Sequence, residues 1–142
     1  MAKFEYALPD EVIKDIQHIF ENADEIFGAM TRAGAEVVYN NIVRNVPKGI
    51  KDSKMMNNLQ ITDVYRTPSD DGINTKVAFY GYFENENGVV TPAPLVANVF
   101  EHGRSNAEFP KQPFMRKSFR KAEIEKAMLK AQKEASGGLL DE

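Results

Sequence analysis

The side chains most able to do chemistry in this sequence are its two histidines, since the 142 residues include no cysteine. His102 directly follows Glu101, and a carboxylate beside an imidazole could bind a metal ion or transfer a proton. A metalloprotease helix, however, carries two histidines on adjacent turns, and the other histidine, His18, is distant in sequence. We therefore expect His18 to be a surface residue and His102 to lie at the C-terminal end of a helix, where a partly protonated imidazole suits the helix dipole.

The carboxylates and hydroxyl groups form no pattern typical of catalysis. Asp70 and Asp71 belong to one turn and Glu84 and Glu86 to another, and neither turn has the alternating oxygen ligands of a calcium loop. The sequence lacks a Gly-x-Ser-x-Gly nucleophile motif, and residues 47–58 lack the Gly-Lys-Ser/Thr step of a phosphate-binding loop. Without cysteine, disulfides, thiolate zinc sites and cysteine nucleophiles are excluded. We therefore expect no enzyme activity, no cofactor and no bound metal.

The net charge of -3 conceals an uneven distribution of charged residues. Residues 1–47 contain four basic and eight acidic side chains, whereas residues 104–134 contain nine basic and four acidic ones. This asymmetry has two explanations, which are head-to-tail contact between copies of the chain and a pair of solvated helix faces. The basic side chains near the start of the last helix are distributed around it, so we expect no specific nucleic-acid binding. They are Arg116, Lys117, Arg120 and Lys121.

With 42% hydrophobic and 27% charged residues, the chain is predicted to be a single domain spanning residues 1–142. Residues 1–9 are predicted to form a flexible arm, residues 47–58 a mobile loop with three lysines, and residues 135–142 a flexible tail. No stretch approaches the roughly 20 apolar residues needed to span a bilayer, and the first residues lack an apolar signal core. We therefore expect synthesis in the cytoplasm and no membrane contact.

Two helices are predicted in the N-terminal third of the chain. Apolar residues at three- and four-residue spacings follow Pro9 and predict a helix of about three turns. Asn22 is predicted to cap a second helix, with Glu25 completing a capping box. This second helix is long and has one apolar stripe, so it should form the centre of the core. It should end near Val46, because Pro47 disfavours a helical residue before it.

Short antiparallel strands are predicted in the middle of the chain. Val77 and Phe79 belong to a segment of alternating polarity, so both should point toward the core. Asn87-Gly88 is a typical hairpin turn. The strands should form a small antiparallel β-meander. They are predicted at residues 59–66, 73–83 and 89–91, with turns at residues 69–72 and 87–88.

A helix, a loop and a second helix are predicted for the last third of the chain. Apolar residues at i and i+4 favour a short helix at residues 95–100 over a strand, and Gly103 can end it with a positive φ. Pro113 suits the first turn of a C-terminal helix that packs on the sheet. Phe109 and Phe114 bracket the prolines of the intervening loop and should hold it in one shape. The predicted fold class is therefore α+β.

The C-terminal helix, predicted at residues 113–134, is apolar on two sides. Met115 and Phe119 lie on one side, and Ile124 and Met128 lie on the opposite side. A helix with two apolar faces usually has two neighbours, so one face could contact a second subunit; alternatively, the last turns fray and Met128 is simply exposed. Under the first explanation, Ile124→Asp would leave the monomer folded and impair assembly.

Two motifs resemble a known protein family. Residues 99–103, Val-Phe-Glu-His-Gly, and residues 112–115, Gln-Pro-Phe-Met, are separated by a short loop. This pair is similar to motifs of the tail-completion, or neck, proteins of long-tailed bacteriophages and prophages. The resemblance extends from about Ala23 to Met128 and includes a proline like Pro47 at the end of the N-terminal helical region.

The resemblance implies a non-enzymatic structural protein that joins filled heads to completed tails. It would reside in the neck of the virion after assembly in the host cytoplasm, and its partners would be further copies of itself in a ring and other neck and tail proteins. A ring needs a heterologous interface, for which the acidic N-terminal part and the basic C-terminal helix are the candidate surfaces. The candidate interface residues are Phe100, Glu101, His102, Phe109, Phe114, Met115, Ile124 and Met128. The alternative hypothesis is a small cytoplasmic α+β ligand-binding or regulatory module, with His102 lining its pocket.

Overall fold

The computed structural model describes residues 9–69, 72–104 and 109–137, and within these ranges the chain is a mixture of helices and short antiparallel strands. The predicted α+β fold class is confirmed. Residues 1–8 of the arm predicted at residues 1–9, and residues 138–142 of the tail predicted at residues 135–142, lie outside the described residues. The α-helices are α1 (Asp10–Glu21), α2 (Ala23–Asn45), α3 (Lys48–Lys51), α4 (Ala93–His102), α5 (Phe114–Ser118) and α6 (Lys121–Ala135). The strands are β1 (Leu59–Ile61), β2 (Tyr65–Thr67), β3 (Gly72–Asn74), β4 (Val77–Phe79), β5 (Tyr82–Glu84) and β6 (Val90–Pro92).

The two N-terminal helices have the predicted lengths, but the residue between them has a different role. Asn22 makes no side-chain cap to α2, and its side-chain amide instead donates to the carbonyl of His18 at 2.8 Å. The predicted capping box is therefore wrong, because Asn22 closes the last turn of α1. The end of α2 is confirmed, since Val46 takes an extended conformation (φ -59°, ψ 136°) immediately before Pro47.

Residues 47–58 are not the mobile loop that the sequence predicted. They form α3 and a 3-10 helix (Lys54–Asn58), and Ser53 between them accepts a hydrogen bond from the amide of Met55 at 3.2 Å. Ile50 and Met55 are both fully buried in the main core. The segment is too short to show a helical period, but one apolar residue on each helical turn is enough to anchor it in the main core.

The first predicted hairpin exists but is interrupted by an irregularity. Leu59 pairs with Phe79 in the β1–β4 ladder, and Tyr65 pairs with Asn74 in the β2–β3 ladder. Three residues on one side, 62–64, therefore face two on the other, which is the count of a β-bulge. The bulge divides each predicted strand into two short pieces.

The second predicted hairpin is confirmed, although the strands do not form one meander. Gly88 has a φ of 77° in the turn between β5 and β6, as the Asn-Gly turn predicted. Gly81, with a φ of 74°, separates β4 from β5, so residues 73–83 are not one strand. The six described strands form three separate two-stranded antiparallel ladders.

The predicted C-terminal helix is broken into α5 and α6. Phe119 and Arg120 leave the helical region with ψ angles of 80° and 102°, and α6 then begins at Lys121. At the end of α5, Ser118 is fully buried, and its side-chain hydroxyl donates to the carbonyl of Phe114 at 2.6 Å. This break sets the direction of α6, which packs mainly along α2.

The main core lies where α2 and α3 meet the strands, α4 and α5. Val77 packs against it and Phe79 is buried in it, as their alternation predicted. A smaller apolar contact joins α2 to α6, where Gly34 lets Ile124 approach closely: a Cβ at Gly34 would lie 3.2 Å from a methyl carbon of Ile124. The main core consists of Ile42, Val46, Ile50, Met55, Leu59, Phe79, Ala93, Ala97 and Phe114.

Candidate functional site

A buried carboxylate connects the two motifs that carry the family resemblance. Glu101, in the last turn of α4, is 7% exposed, and its two carboxylate oxygens accept hydrogen bonds from the amides of Met115 and Arg116 at 2.9 and 3.1 Å. These amides lie in the first turn of α5, where a helix has no internal partners for its N–H groups. Pro113 precedes α5 and provides no side-chain cap, so Glu101 caps α5 from a different helix.

The charge of Glu101 suits this position. A carboxylate at a helix N-terminus interacts favourably with the helix dipole, and its hydrogen bonds to amides are stronger than those between neutral groups. The Nε atom of Arg116 lies 3.9 Å from the same carboxylate, but this side chain is 67% exposed, so solvent screens most of that attraction. The two backbone hydrogen bonds should therefore contribute more to the link between α4 and α5 than the ion pair does.

The loop between the motifs is fixed at both ends. Gly103 ends α4 with a φ of 74°, as predicted, and a Cβ at this position would lie 2.9 Å from the carbonyl oxygen of Phe109. The amide of Gln112 donates to the carbonyl of Phe100 at 2.6 Å, and the rings of Phe100 and Phe109 pack edge to face at 5.1 Å. Because residues 105–108 are outside the described part, these contacts define the base of the loop.

A polar cluster that the sequence did not reveal anchors the break between α5 and α6. Asn41 of α2 is 2% exposed, and its amide group donates to the carbonyl of Ser118 at 3.1 Å and to the carboxylate of Glu123 at 2.9 Å. Arg44 in turn donates to the side-chain oxygen of Asn41, and Asn45 donates to the hydroxyl of Ser118 at 3.2 Å. The cluster satisfies the polar atoms of the break and orients α6 against α2. The only signal of this cluster in the sequence is that Asn41 and Asn45 continue the otherwise apolar stripe of α2.

The predicted interface residues do not form one surface. Glu101, Phe114 and Ile124 are buried, with Phe114 in the main core, where its ring meets that of Phe79 edge to face at 6.2 Å. The outward-facing role predicted for Ile124 is wrong, because the break before α6 turns this side chain toward Gly34. His102 is exposed at the end of α4, as predicted. The remaining four, Phe100, Phe109, Met115 and Met128, are partly buried.

An exposed apolar surface that the interface prediction omitted lies on α1. Val12, Ile13, Ile16 and Phe20 are 40%, 38%, 39% and 76% exposed. Among the described elements, α1 has substantial packing only with α2. Its amphipathic pattern was visible in the sequence, but the pattern alone cannot distinguish a face that packs in the monomer from one left open.

Several clefts of ligand size occur among the described residues, the largest of them about 720 Å³ and lined mainly by α2 and the end of α6. Another lies between α2, the β3–β4 segment and α6. Its volume is about 410 Å³, and it is mostly apolar. Phe119 and Met128 line it, whereas His102 borders none of the main clefts formed by the described residues. These clefts therefore give no support to the pocket predicted at His102.

The described residues contain neither a metal-binding cluster nor a membrane-spanning helix. In residues 9–69, 72–104 and 109–137, no group of three or more potential ligand side chains is arranged to hold a metal ion. None of the helices in these ranges is both long enough and apolar enough to cross a bilayer. Among the described side chains, each deeply buried nitrogen or oxygen atom has a hydrogen-bond partner.

No protein-family model matches this chain. Searches of curated proteins and of solved structures find no match either. The contacts of the chain and its two motifs are therefore the basis for a functional proposal.

Proposed function

We propose that this chain is a structural, non-enzymatic protein of a long-tailed phage or prophage, and that it completes the tail or joins it to the head in the neck. The observation that carries the proposal is the cap that Glu101 provides to α5, because it joins the two resembling motifs into one element. A subunit that transmits force between head and tail needs such a fixed element more than it needs a reactive site.

The uneven distribution of apolar and charged residues over the surface also supports an assembly role. α1 leaves an apolar face open, and the acidic N-terminal part contrasts with the basic C-terminal part. Exposed apolar patches of this kind mark interaction sites in soluble proteins. The proposed partners are further copies of the chain in a ring, together with other neck and tail proteins, and neither a nucleic acid nor a membrane.

Localisation in particles tests the proposal. Virions of the phage or induced prophage that encodes the chain would be purified and labelled with a gold-conjugated antibody against it. We expect label at the head–tail junction of intact virions. Label found only in the soluble fraction of the lysate, with none on particles, would contradict a virion role.

A second candidate function is the binding of a small apolar ligand, which the cleft beside Met128 favours because its volume falls in the range of ligand sites. This is the alternative of a small cytoplasmic ligand-binding or regulatory module, with its site moved from His102 to the cleft. A one-to-one complex with an extracted host metabolite, detected by native mass spectrometry, would support it. A ligand-free chain purified from its natural host would count against it.

A further inference from the structure

We propose that α1 of one copy docks on the outer face of α6 of the next copy. The inference rests on the proposed ring assembly and specifies the two surfaces that would form it. It begins from α1, whose 12 residues place four large apolar side chains on one face that the described part of the monomer leaves at least 38% exposed. Covering such a face with a second surface removes apolar area from water.

The charges on α1 restrict what can cover it. The helix carries four carboxylates and one lysine, so it has a net charge of -3 when His18 is neutral. Like charges brought together at an interface are destabilising, so the complementary surface should be basic. The carboxylates are Asp10, Glu11, Asp15 and Glu21.

The outer face of α6 has the required character. At about 100° per residue, Lys126, Leu129 and Lys133 lie on the side of the helix opposite the inward-facing Ile124. Leu129 is 54% exposed. From Phe114 to Ala135 the chain has seven basic and three acidic side chains. Lysine side chains of this kind can also cover apolar surface with their methylene groups while the charge stays in water.

The two helices also match in length. At 1.5 Å per residue, α1 is about 18 Å long and α6, with 15 residues, about 22 Å long. α1 and α6 make no substantial contact with each other within one chain. The contact is heterologous, because α1 meets α6 rather than another α1. A linear row of subunits would therefore have an unoccupied α1 at one end and an unoccupied α6 at the other. Such a contact closes into a ring when the rotation between subunits allows it.

A single pair of helices buries a small area, so the isolated contact should be weak and should strengthen when a ring closes. We therefore expect the purified chain to associate at high concentration. Because the natural chain has no cysteine, introduced cysteines can report this contact without background.

The test uses single-cysteine variants of the full chain. Ile16→Cys and Leu129→Cys are purified separately, mixed in equal amounts at high concentration and oxidised, and the linked peptides are identified by mass spectrometry. We expect the 16–129 disulfide to dominate over the 16–16 and 129–129 disulfides. The matched control is Gln17→Cys, which neighbours Ile16 but lies on the polar, exposed side of α1 and should give several-fold less product with Leu129→Cys.

Charge exchange provides an independent measurement. In these cysteine backgrounds, Asp15→Lys or Lys126→Glu alone should reduce the 16–129 product several-fold, and combining Asp15→Lys in the Ile16→Cys chain with Lys126→Glu in the Leu129→Cys chain should restore it. Predominance of the 16–16 disulfide, or equal yields from the Gln17→Cys control, would overturn the proposed contact. These results are obtained with purified protein, so they could fail while the gold labelling still places the chain in the neck, and the two failures are distinguishable.

Discussion

The carboxylate of Glu101 accepts a hydrogen bond from the backbone amide of Met115 at 2.9 Å, although the two residues are 14 positions apart in sequence. One side chain at the end of α4 thereby defines where α5 begins. The Phe-Glu-His-Gly and Gln-Pro-Phe-Met motifs can be understood from this contact, since the first supplies the cap and the second supplies the helix that needs it.

Removing this cap should destabilise the fold. Glu101→Ala leaves the amides of Met115 and Arg116 without their partner in a mostly buried site, which should lower the free energy of unfolding by about 1–3 kcal/mol. Glu101→Gln retains an acceptor oxygen and should cost less. Urea denaturation measures both. The control is Glu125→Ala on the exposed surface of α6, and a Glu101→Ala variant as stable as this control would refute the capping role.

Loss of the polar cluster at the α5–α6 break should destabilise the fold to a similar extent. Asn41→Ala removes the donor that serves the Ser118 carbonyl and the Glu123 carboxylate, and we expect a loss of about 1–3 kcal/mol in the free energy of unfolding. The neighbouring residue Asn40 is exposed, so Asn40→Ala should change stability by less than about 0.5 kcal/mol. Chemical denaturation of the two variants compares them directly. Similar losses in both would show that the cluster does not hold the break.

The glycine that ends the first motif, Gly103, should tolerate substitution less well than other glycines with positive φ. Gly103→Ala introduces a Cβ only 2.9 Å from the carbonyl oxygen of Phe109, in addition to the strain of its φ of 74°. Gly137 has a similar φ of 67° but open space around it, so Gly137→Ala isolates the cost of the φ angle alone. We expect the loss for Gly103→Ala to exceed that for Gly137→Ala by about 1 kcal/mol or more in thermal unfolding. Equal losses would mean that the loop moves to accept the methyl group.

Substitution by aspartate should destabilise the monomer at one position on α6 and have little effect at another. Ile124→Asp places a carboxylate in the α2–α6 contact and should destabilise the monomer by more than about 3 kcal/mol. Leu129→Asp lies on the exposed side and should leave the unfolding midpoint nearly unchanged. Circular dichroism during heating distinguishes them. A stable Ile124→Asp monomer would contradict the position of Ile124 in the structure.

The sequence predicted those features that depend on neighbouring residues and missed those that depend on contacts between distant segments. The ends of α1, α2 and α4 follow from local signals, including Pro9, Pro47 and Gly103, because a proline or a positive φ acts on its own neighbourhood. The break at Phe119 has no such signal, since no glycine or proline stands there. The side chain of Asn41, in a distant helix, instead donates a hydrogen bond to the carbonyl of Ser118 at the break. The direction of α6, and with it the burial of Ile124, could not be predicted for the same reason.

The candidate site was predictable only in part. Phe109 and Phe114 were both expected to hold the loop between the motifs; Phe109 packs edge to face on Phe100, whereas Phe114 packs on Phe79 in the main core. The role of Glu101 depends on a contact between two helices, which spacing in the sequence does not specify. The amphipathic pattern of α1 can be read from its local sequence. Whether another element covers its apolar face depends on the whole fold, so the exposure of that face could not be predicted.

Deletion of the gene is the strongest test of the proposed role of this chain in joining heads to tails. Lysates of the deleted phage or prophage would be examined by electron microscopy, with the intact gene supplied from a plasmid as the control. We expect separate DNA-filled heads and completed tails to accumulate, and whole particles to return on complementation. Normal numbers of intact, infectious virions without the gene would contradict the claim.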